Sequence, residues 1–145
     1  MRWFIAIFLY PTLAFASVGE IGQIKGSGVL ERGKDVVIEG EAGVGVQSMD
    51  TAVTANGTMR IDFIDETRVD ITEQSRLVID EFVYDPANDI GSLSIKASLG
   101  TVRYASGQIA KRYKQNVKIR TPSATIGVRG TDFIMVVDEF GGSMI

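Results

Sequence analysis

The sequence predicts an all-β fold: a single domain of many short antiparallel strands, arranged as a roll, a meander or a sandwich, or with solenoid-like rungs. Apolar and polar residues alternate in several segments, most clearly at 59–63, as expected for strands with one buried face. The 16 glycines are spread between these segments, where they mark turns. Helical periodicity is hard to find. The 145 residues suffice for one domain, and no internal boundary is evident.

The N-terminus has the pattern of a secretory signal peptide over residues 1–16. Arg2 supplies a positive charge, an apolar run follows, and Ala14, Phe15 and Ala16 match the small-x-small cleavage pattern. The apolar run is shorter than the roughly 20 residues that a membrane-spanning helix needs. We therefore expect cleavage after Ala16, which gives an exported domain over residues 17–145 without a transmembrane segment. An uncleaved anchor or a buried first strand is the alternative interpretation.

The composition excludes several classes of function. The chain has no histidine and no cysteine, which rules out Ser-His-Asp and Cys-His catalysis, Cys/His zinc sites, disulfides and His-ligated haem. An enzyme of this composition would have to use carboxylates, Lys, Tyr, Ser or Thr. The net charge is −3, so the broad basic surface that non-specific nucleic-acid binding needs is not expected.

Five strand candidates precede residue 58. Gly33-Lys34 is predicted to form a tight turn between two of them. Asn56-Gly57 is the strongest short hairpin signal in the chain, so the segment 51–54 is predicted to pair with 59–63. The remaining candidates are 21–24, 28–31, 36–39 and 44–47.

A repeat of Arg, apolar, variable, apolar begins at Arg60, Arg68 and Arg76, eight residues apart, and predicts three strands separated by turns. Asp62 and Asp70 occupy equivalent positions in the first two units. On neighbouring strands the two carboxylates would face each other and could bind Ca²⁺ or act as an acid/base pair. We favour the alternative, in which the arginines of the repeat neutralise them on a solvated face.

The C-terminal half continues the β pattern. The segment 85–89 is a loop in which Asp85, Asn88 and Asp89 carry side-chain oxygens, but their spacing matches no EF-hand. No metal site is therefore expected there. A short helix is expected to begin near Gln108, and the Gly-rich tail 138–145 is expected to fray. Strands are expected at 91–97, 100–104, 117–120, 124–128 and 132–137.

Four basic residues within eight positions form a candidate patch for an anionic partner: Lys111, Arg112, Lys114 and Lys118. A charge run of this kind also fits a plainly solvated face. Tyr104 and Tyr113 lie near it in the sequence, which would suit an acidic glycan.

The most distinctive segment is 121–133. Ala124, Ile126 and Val128 alternate with polar residues and predict a strand, and Pro122 is expected at its start or on a sheet edge. Gly130 permits a sharp bend before a second strand. We interpret the segment as a packed β-turn-β corner, a structural requirement of the domain, in which Arg129 satisfies buried carbonyls or a carboxylate.

This segment resembles the FecR family signature, in which an aliphatic strand leads into Thr-Pro-x-Ala-x-x-x-Val-Arg-Gly-Thr-x-Phe. Segments 63–69 and 100–104 are similar to two further family units, so the resemblance covers roughly residues 50–137. The signature positions are Thr121, Pro122, Ala124, Val128, Arg129, Gly130, Thr131 and Phe133.

The resemblance implies a domain of the type found in the periplasmic half of iron-dicitrate sensors that regulate sigma factors. Those sensors carry a cytoplasmic anti-sigma helix bundle and a transmembrane helix before the domain, whereas here we expect only a signal peptide. The expected function is thus that of a stand-alone exported module.

We expect a non-enzymatic periplasmic or secreted binding, sensing or regulatory domain without cofactors. It would recognise another envelope protein along an exposed strand or through a side-chain patch. The alternative is an envelope scaffold or polysaccharide-binding module that uses Tyr104, Tyr113 and the basic patch. A carboxylate hydrolase that uses Asp62 and Asp70 is a third, less favoured interpretation.

Overall fold

A computed structural model describes residues 17–145, so the expected signal peptide at 1–16 lies outside the described residues. Strands dominate this part of the chain, which confirms the all-β prediction. The strands are β1 (Gly19–Lys25), β2 (Gly28–Arg32), β3 (Val36–Glu39), β4 (Gly45–Val46), β5 (Thr51–Thr54), β6 (Thr58–Phe63), β7 (Arg68–Ile71), β8 (Arg76–Asp85), β9 (Ile90–Ala105), β10 (Val117–Arg120), β11 (Thr125–Gly127), β12 (Phe133–Val137) and β13 (Ser143–Met144).

Helical structure in the described part is short. The helix α1 (Gln108–Arg112) begins where the sequence analysis expected it. Single 3₁₀ turns occupy Pro86–Asn88 and Lys114–Asn116.

The strands form one continuous sheet that curls into two layers. The first layer has the order β4-β1-β6-β7-β9-β12-β13, and the second has the order β3-β2-β5-β8-β9-β10-β11. The β9–β10 pairing is parallel, and the other pairings are antiparallel. Strand β9 belongs to both layers and joins them.

Strand β9 changes layer near its middle. Residues 90–99 pair with β8 in the second layer, whereas in the first layer residues 102–105 pair with β7 and residues 100–104 pair with β12. Gly100 lies at the change with φ +90°, and a Cβ there would meet the Cα of Ser75 at 2.7 Å. Only glycine fits this position without displacing Ser75. The segments 91–97 and 100–104, expected as two strands, are therefore one bent strand.

The core lies between the layers. In β6 and β7 the residues at every second position are buried, as the alternation predicted. Tyr104 and Ile109 are also fully buried, so the short helix contributes to the same core. A buried carboxylate lies at one end: Asp50 accepts two hydrogen bonds from the Arg32 guanidinium, at 2.8 and 2.9 Å.

The two predicted turns and the C-terminal tail can be compared with the structure. The turn at residues 33–35 joins β2 to β3, which confirms the turn at Gly33-Lys34. The predicted hairpin at Asn56-Gly57 is wrong, because β5 pairs with β2 and β8 in one layer, and β6 pairs with β1 and β7 in the other. The expected fraying of 138–145 is also wrong, since β13 pairs with β12.

The Arg repeat falls on both layers. Its first two units are β6 and β7, which are antiparallel neighbours, whereas the third is the start of β8 in the second layer. These strands therefore form no solenoid rungs.

Candidate functional site

The signature segment begins in the turn between β10 and β11. The backbone N–H of Thr121 donates to the Ala124 carbonyl at 2.8 Å, and the Ala124 N–H donates to the Thr121 hydroxyl oxygen at 3.0 Å. Ser143 on β13 donates to the same hydroxyl at 2.7 Å. Pro122 lies in this turn, before the first residue of β11. The turn thus links β11 to the last strand of the other layer.

The rest of the segment crosses from one layer to the other. β11 pairs with β10, β12 pairs with β9, and the two do not pair with each other, which corrects the predicted β-turn-β corner. Val128 is buried, and Phe133 packs against Tyr104 with ring centroids 5.3 Å apart. Ser106 fixes the crossing, because its hydroxyl donates to the Thr131 carbonyl at 3.0 Å.

Gly130 makes the bend in this crossing, as predicted. Its φ is +79°, and the nearest atom to a Cβ built there is the Ala110 carbonyl oxygen at 3.8 Å. A side chain at Gly130 would therefore meet backbone strain but no clash. The same distance shows that the crossing lies beside α1.

Arg129 does not have the predicted role. Its side chain is exposed, and within residues 17–145 it makes no hydrogen bond or ion pair. Val128, just after β11, is buried, and the chain then bends at Arg129 and Gly130, which leaves the Arg129 side chain in solvent. The signature arginine is thus free to contact another molecule.

The four residues of the basic patch are all exposed, on α1, the 3₁₀ turn after it and β10. Arg112 forms an ion pair with Asp89 at 3.1 Å. The side chains of Lys111, Lys114 and Lys118 have no such partner among the described residues.

The crossing brings Arg129 to this patch. The Val128 N–H donates to the Val117 carbonyl at 3.3 Å, and Lys118 lies directly opposite Gly127. Lys111 follows Ala110, the residue beside Gly130. We call the set of Lys111, Lys114, Lys118 and Arg129 the basic face. Sequence analysis found the three lysines but missed their proximity to the signature.

The two tyrosines near the patch are not placed to bind a glycan. Tyr104 is fully buried in the core, and burial raises its pKa to about 12. Tyr113 is half-buried and its hydroxyl is covered. A sugar ring would need an exposed aromatic face, which neither residue fully offers.

The paired carboxylates are neutralised by the repeat arginines. Arg60 lies opposite Asp70 and binds it at 2.7 Å, and Arg68 lies opposite Asp62 and binds it at 3.0 Å. The hydrogen bond to Asp70 raises the pKa of Arg60. The interpretation that the repeat arginines neutralise the two aspartates is confirmed. A groove of about 390 Å³ passes over the first of these pairs and includes Arg103.

The loop at 85–89 uses its oxygens internally. Asp85 accepts hydrogen bonds from the side chain and backbone of Asn88, at 2.7 and 3.4 Å, and Asp89 binds Arg112. Among the described residues, no three acidic side chains are grouped so that they could hold a metal ion.

A family model described as FecR protein matches residues 50–144, about two thirds of the chain. The chain belongs to the FecR family. This family consists of periplasmic sensing and regulatory domains. No curated protein and no solved structure is significantly similar to the chain. Within residues 17–145, no helix has the length and apolar character needed to cross a bilayer.

The FecR match begins just before β5, so β1 to β4 lie outside it. These strands nevertheless complete both layers, since β1 pairs with β6 and β2 pairs with β5. Strand β3 forms the edge of the second layer opposite β11.

The FecR segment 63–69 contains a residue that sequence analysis did not single out. Asp65 is buried and accepts hydrogen bonds from the Thr67 N–H at 3.0 Å, the Thr67 hydroxyl at 2.8 Å and the Ile109 N–H at 3.0 Å. It holds the start of α1 against the β6–β7 turn. The Asp-x-Thr spacing, typical of a side-chain-closed turn, was the available signal.

Proposed function

We propose that this chain is an exported FecR regulatory domain that acts by binding, and that its basic face recognises an acidic segment of another envelope protein. The proposal includes export by cleavage after Ala16, which fits the periplasmic location of the family. It assigns no catalytic role to any residue.

The exposure of Arg129 is the observation that carries the proposal. The crossing around it is held by internal contacts: Val128 and Phe133 pack inside, and the Thr131 carbonyl accepts from Ser106. Arg129 alone among these residues is both charged and free of such contacts. A structural arginine would be bound to carbonyls or carboxylates of its own chain.

Local charge supports an acidic partner. The whole chain has a net charge of −3, yet the four cations of the basic face have no acidic partner among the described residues. Guanidinium groups bind carboxylates with two parallel hydrogen bonds, which gives direction as well as affinity. The face therefore suits the carboxylates of a protein segment.

The proposal can be tested with an eight-residue glutamate peptide as the probe and an eight-residue lysine peptide as its control. We expect the glutamate peptide to shift the NMR amide signals of Lys111, Lys118 and Arg129, and binding to weaken as salt screens the charges. Arg129→Ala should weaken binding at least several-fold without changing the unfolding curve. Lys34→Ala, which removes an exposed cation on the β2–β3 turn, is the matched control.

Shifts outside the basic face, or equal binding by the Arg129→Ala and wild-type proteins, would contradict the proposal.

A further inference from the structure

We infer that the acidic segment bound by the basic face is the β3 edge of a second copy of this chain, so that the second layers of successive copies join into one continuous sheet. This inference rests on the proposed function and names its partner. The two edges of one layer, β3 and β11, complement each other in main-chain hydrogen bonding, direction, apolar contacts and charge.

The main chain of β3 is free on its outer side. Gly40 donates to the Gly28 carbonyl at 2.8 Å, and Ile38 lies opposite Leu30 in the same register. Hydrogen-bonded pairs alternate in an antiparallel ladder, so Val37 and Glu39 direct their N–H and C=O groups away from β2. No described strand lies on that side.

The main chain of β11 is free in the same way. The Val128 N–H bonds to the Val117 carbonyl, and the Thr121 N–H bonds to the Ala124 carbonyl. By the same alternation, Thr125 and Gly127 direct their N–H and C=O groups away from β10. Each edge thus offers two residues, spaced two positions apart, for a new ladder.

The strand directions agree. Counting the antiparallel and parallel pairings across the second layer shows that β3 and β11 run in opposite directions. A second copy placed beside the first in the same orientation therefore brings its β11 antiparallel to β3. The core-facing side of the layer in one copy then continues into the core-facing side in the next copy, and the same holds for the solvent-facing sides.

One register matches side chains as well. With Val37 opposite Gly127 of the second copy, Ile38 faces Ile126, and both are already partly packed on the core side. Val36, which is 51% exposed in the single copy, faces Val128 of the second copy, whereas Val37, which is 64% exposed, faces only the backbone of Gly127. Apolar contact between strands is the usual companion of strand addition.

The same register pairs charges at the end of the ladder. Asp35, just before β3, lies opposite Arg129 of the second copy. Both are exposed, and neither has an ion-pair partner among residues 17–145. In this register, the two unpaired and exposed charges, Arg129 and Asp35, would form an ion pair between copies.

Charge also disfavours the alternative in which two β3 edges pair with each other. Centring that ladder on Val37 places Asp35 opposite Glu39 of the second copy, and shifting it by one hydrogen-bonded pair in one direction places Asp35 opposite Glu41. The opposite shift places Asp35 opposite Val37, so it forms no ion pair, unlike the β3–β11 register. Like charges directly opposite destabilise a strand pair. The β3–β11 contact is therefore head-to-tail, and it leaves a free edge at each end for further copies.

The absence of native cysteine permits a direct test by disulfide trapping. Asp35→Cys and Arg129→Cys proteins, mixed and mildly oxidised at millimolar concentration, should form the mixed disulfide faster than either forms its own. Opposite residues in such a ladder have Cα atoms about 5.5 Å apart, within disulfide range. Lys25→Cys in place of Arg129→Cys is the control, because Lys25 is exposed on β1 in the first layer, outside the basic face, and it should not crosslink above background.

Charge reversal gives an independent measurement. Sedimentation of the wild type should show concentration-dependent association, which Arg129→Glu and Asp35→Arg should each abolish. An equimolar mixture of the two variants should associate again, because each supplies the edge that the other has lost. Circular dichroism of each variant confirms that it is folded.

A wild type that remains monomeric at millimolar concentration, or crosslinking as fast with Lys25→Cys, would overturn the inference. If that monomer still bound the glutamate peptide through Arg129, the proposed function would stand and only the identity of the partner would be wrong. Failure of both experiments would reject both.

Discussion

Asp65 and Ile109 are 44 residues apart in sequence, and the Asp65 carboxylate accepts a 3.0 Å hydrogen bond from the Ile109 backbone N–H. The same carboxylate closes its own turn through two bonds from Thr67. One buried side chain therefore fixes both the β6–β7 turn and the start of the helix that carries part of the basic face.

Asp65→Ala is expected to lower the free energy of unfolding by about 2–4 kcal/mol, because three buried donors lose their acceptor. Denaturant unfolding measures this. Glu41→Gln, which removes an exposed carboxylate, should stay within about 0.5 kcal/mol. An Asp65→Ala protein as stable as the wild type would show that water satisfies these donors equally well.

Arg129→Ala is expected to leave the free energy of unfolding within about 0.5 kcal/mol of the wild type, since the side chain is solvated and unpaired. Gly130→Val should lower it by about 1–3 kcal/mol, because φ +79° is strained for a β-branched residue even where space is open. Thermal and denaturant unfolding of the two variants give the comparison. Equal losses would restore the structural role first predicted for Arg129.

Tyr104 should make stability fall in strong alkali. Its pKa is about 12 in the folded protein and about 10 in an unfolded chain. Below pH 10 both states keep the proton. Between pH 10 and 12 the unfolded state ionises first, so the free energy of unfolding decreases as pH rises, by about 2–3 kcal/mol at most.

Tyr104→Phe should remove this part of the alkaline loss and change stability little at pH 7, because the hydroxyl has no hydrogen-bond partner among the described residues. Absorbance of phenolate during a pH titration reports the ionisation directly. Identical alkaline unfolding of the variant and the wild type would mean that other groups dominate.

The Arg60–Asp70 pair is expected to contribute little. Each side chain is about one third exposed, so a double-mutant cycle with Arg60→Ala and Asp70→Ala should give a coupling of about 0.5 kcal/mol that weakens with salt. The double-mutant cycle on Arg68 and Asp62, which lie opposite each other on the same two strands, is the matched comparison. A coupling above about 2 kcal/mol in either would indicate desolvation that the structure does not show.

Export can be checked by N-terminal sequencing of protein recovered from the periplasm. We expect the sequence to begin at Ser17, since small residues at 14 and 16 suit the cleaving peptidase. Protein recovered there with Met1 intact would contradict cleavage after Ala16.

Local patterns predicted most strands well. The bounds expected for β3, β5 and β10 agree with the structure. Partners were harder to predict, because alternation fixes which side chains are buried but not which strand lies alongside. Asn56-Gly57 shows this: the chain bends there, but the bend leads from one layer to the other instead of closing a hairpin.

Only part of the candidate site could be predicted from the sequence. The alternation of apolar residues up to Val128 predicts that Arg129 points outward. The interpretation of Arg129 as a structural residue did not take this into account. The proximity of Arg129 to Lys111 was not accessible, because it depends on a crossing between layers that no local pattern specifies.

The sharing of β9 between layers has a kinetic consequence. This strand pairs with β7 and β8, which precede it, and with β10 and β12, which follow it. The second layer is therefore complete only when β11 is available, and the first layer only when β13 is available. Pairing of β9 with distant strands requires long loops to close, which costs conformational entropy before the contacts form. Such high contact order predicts folding on the millisecond-to-second scale in a single cooperative step. A chain interrupted before β10 should remain a protease-sensitive, partly collapsed species.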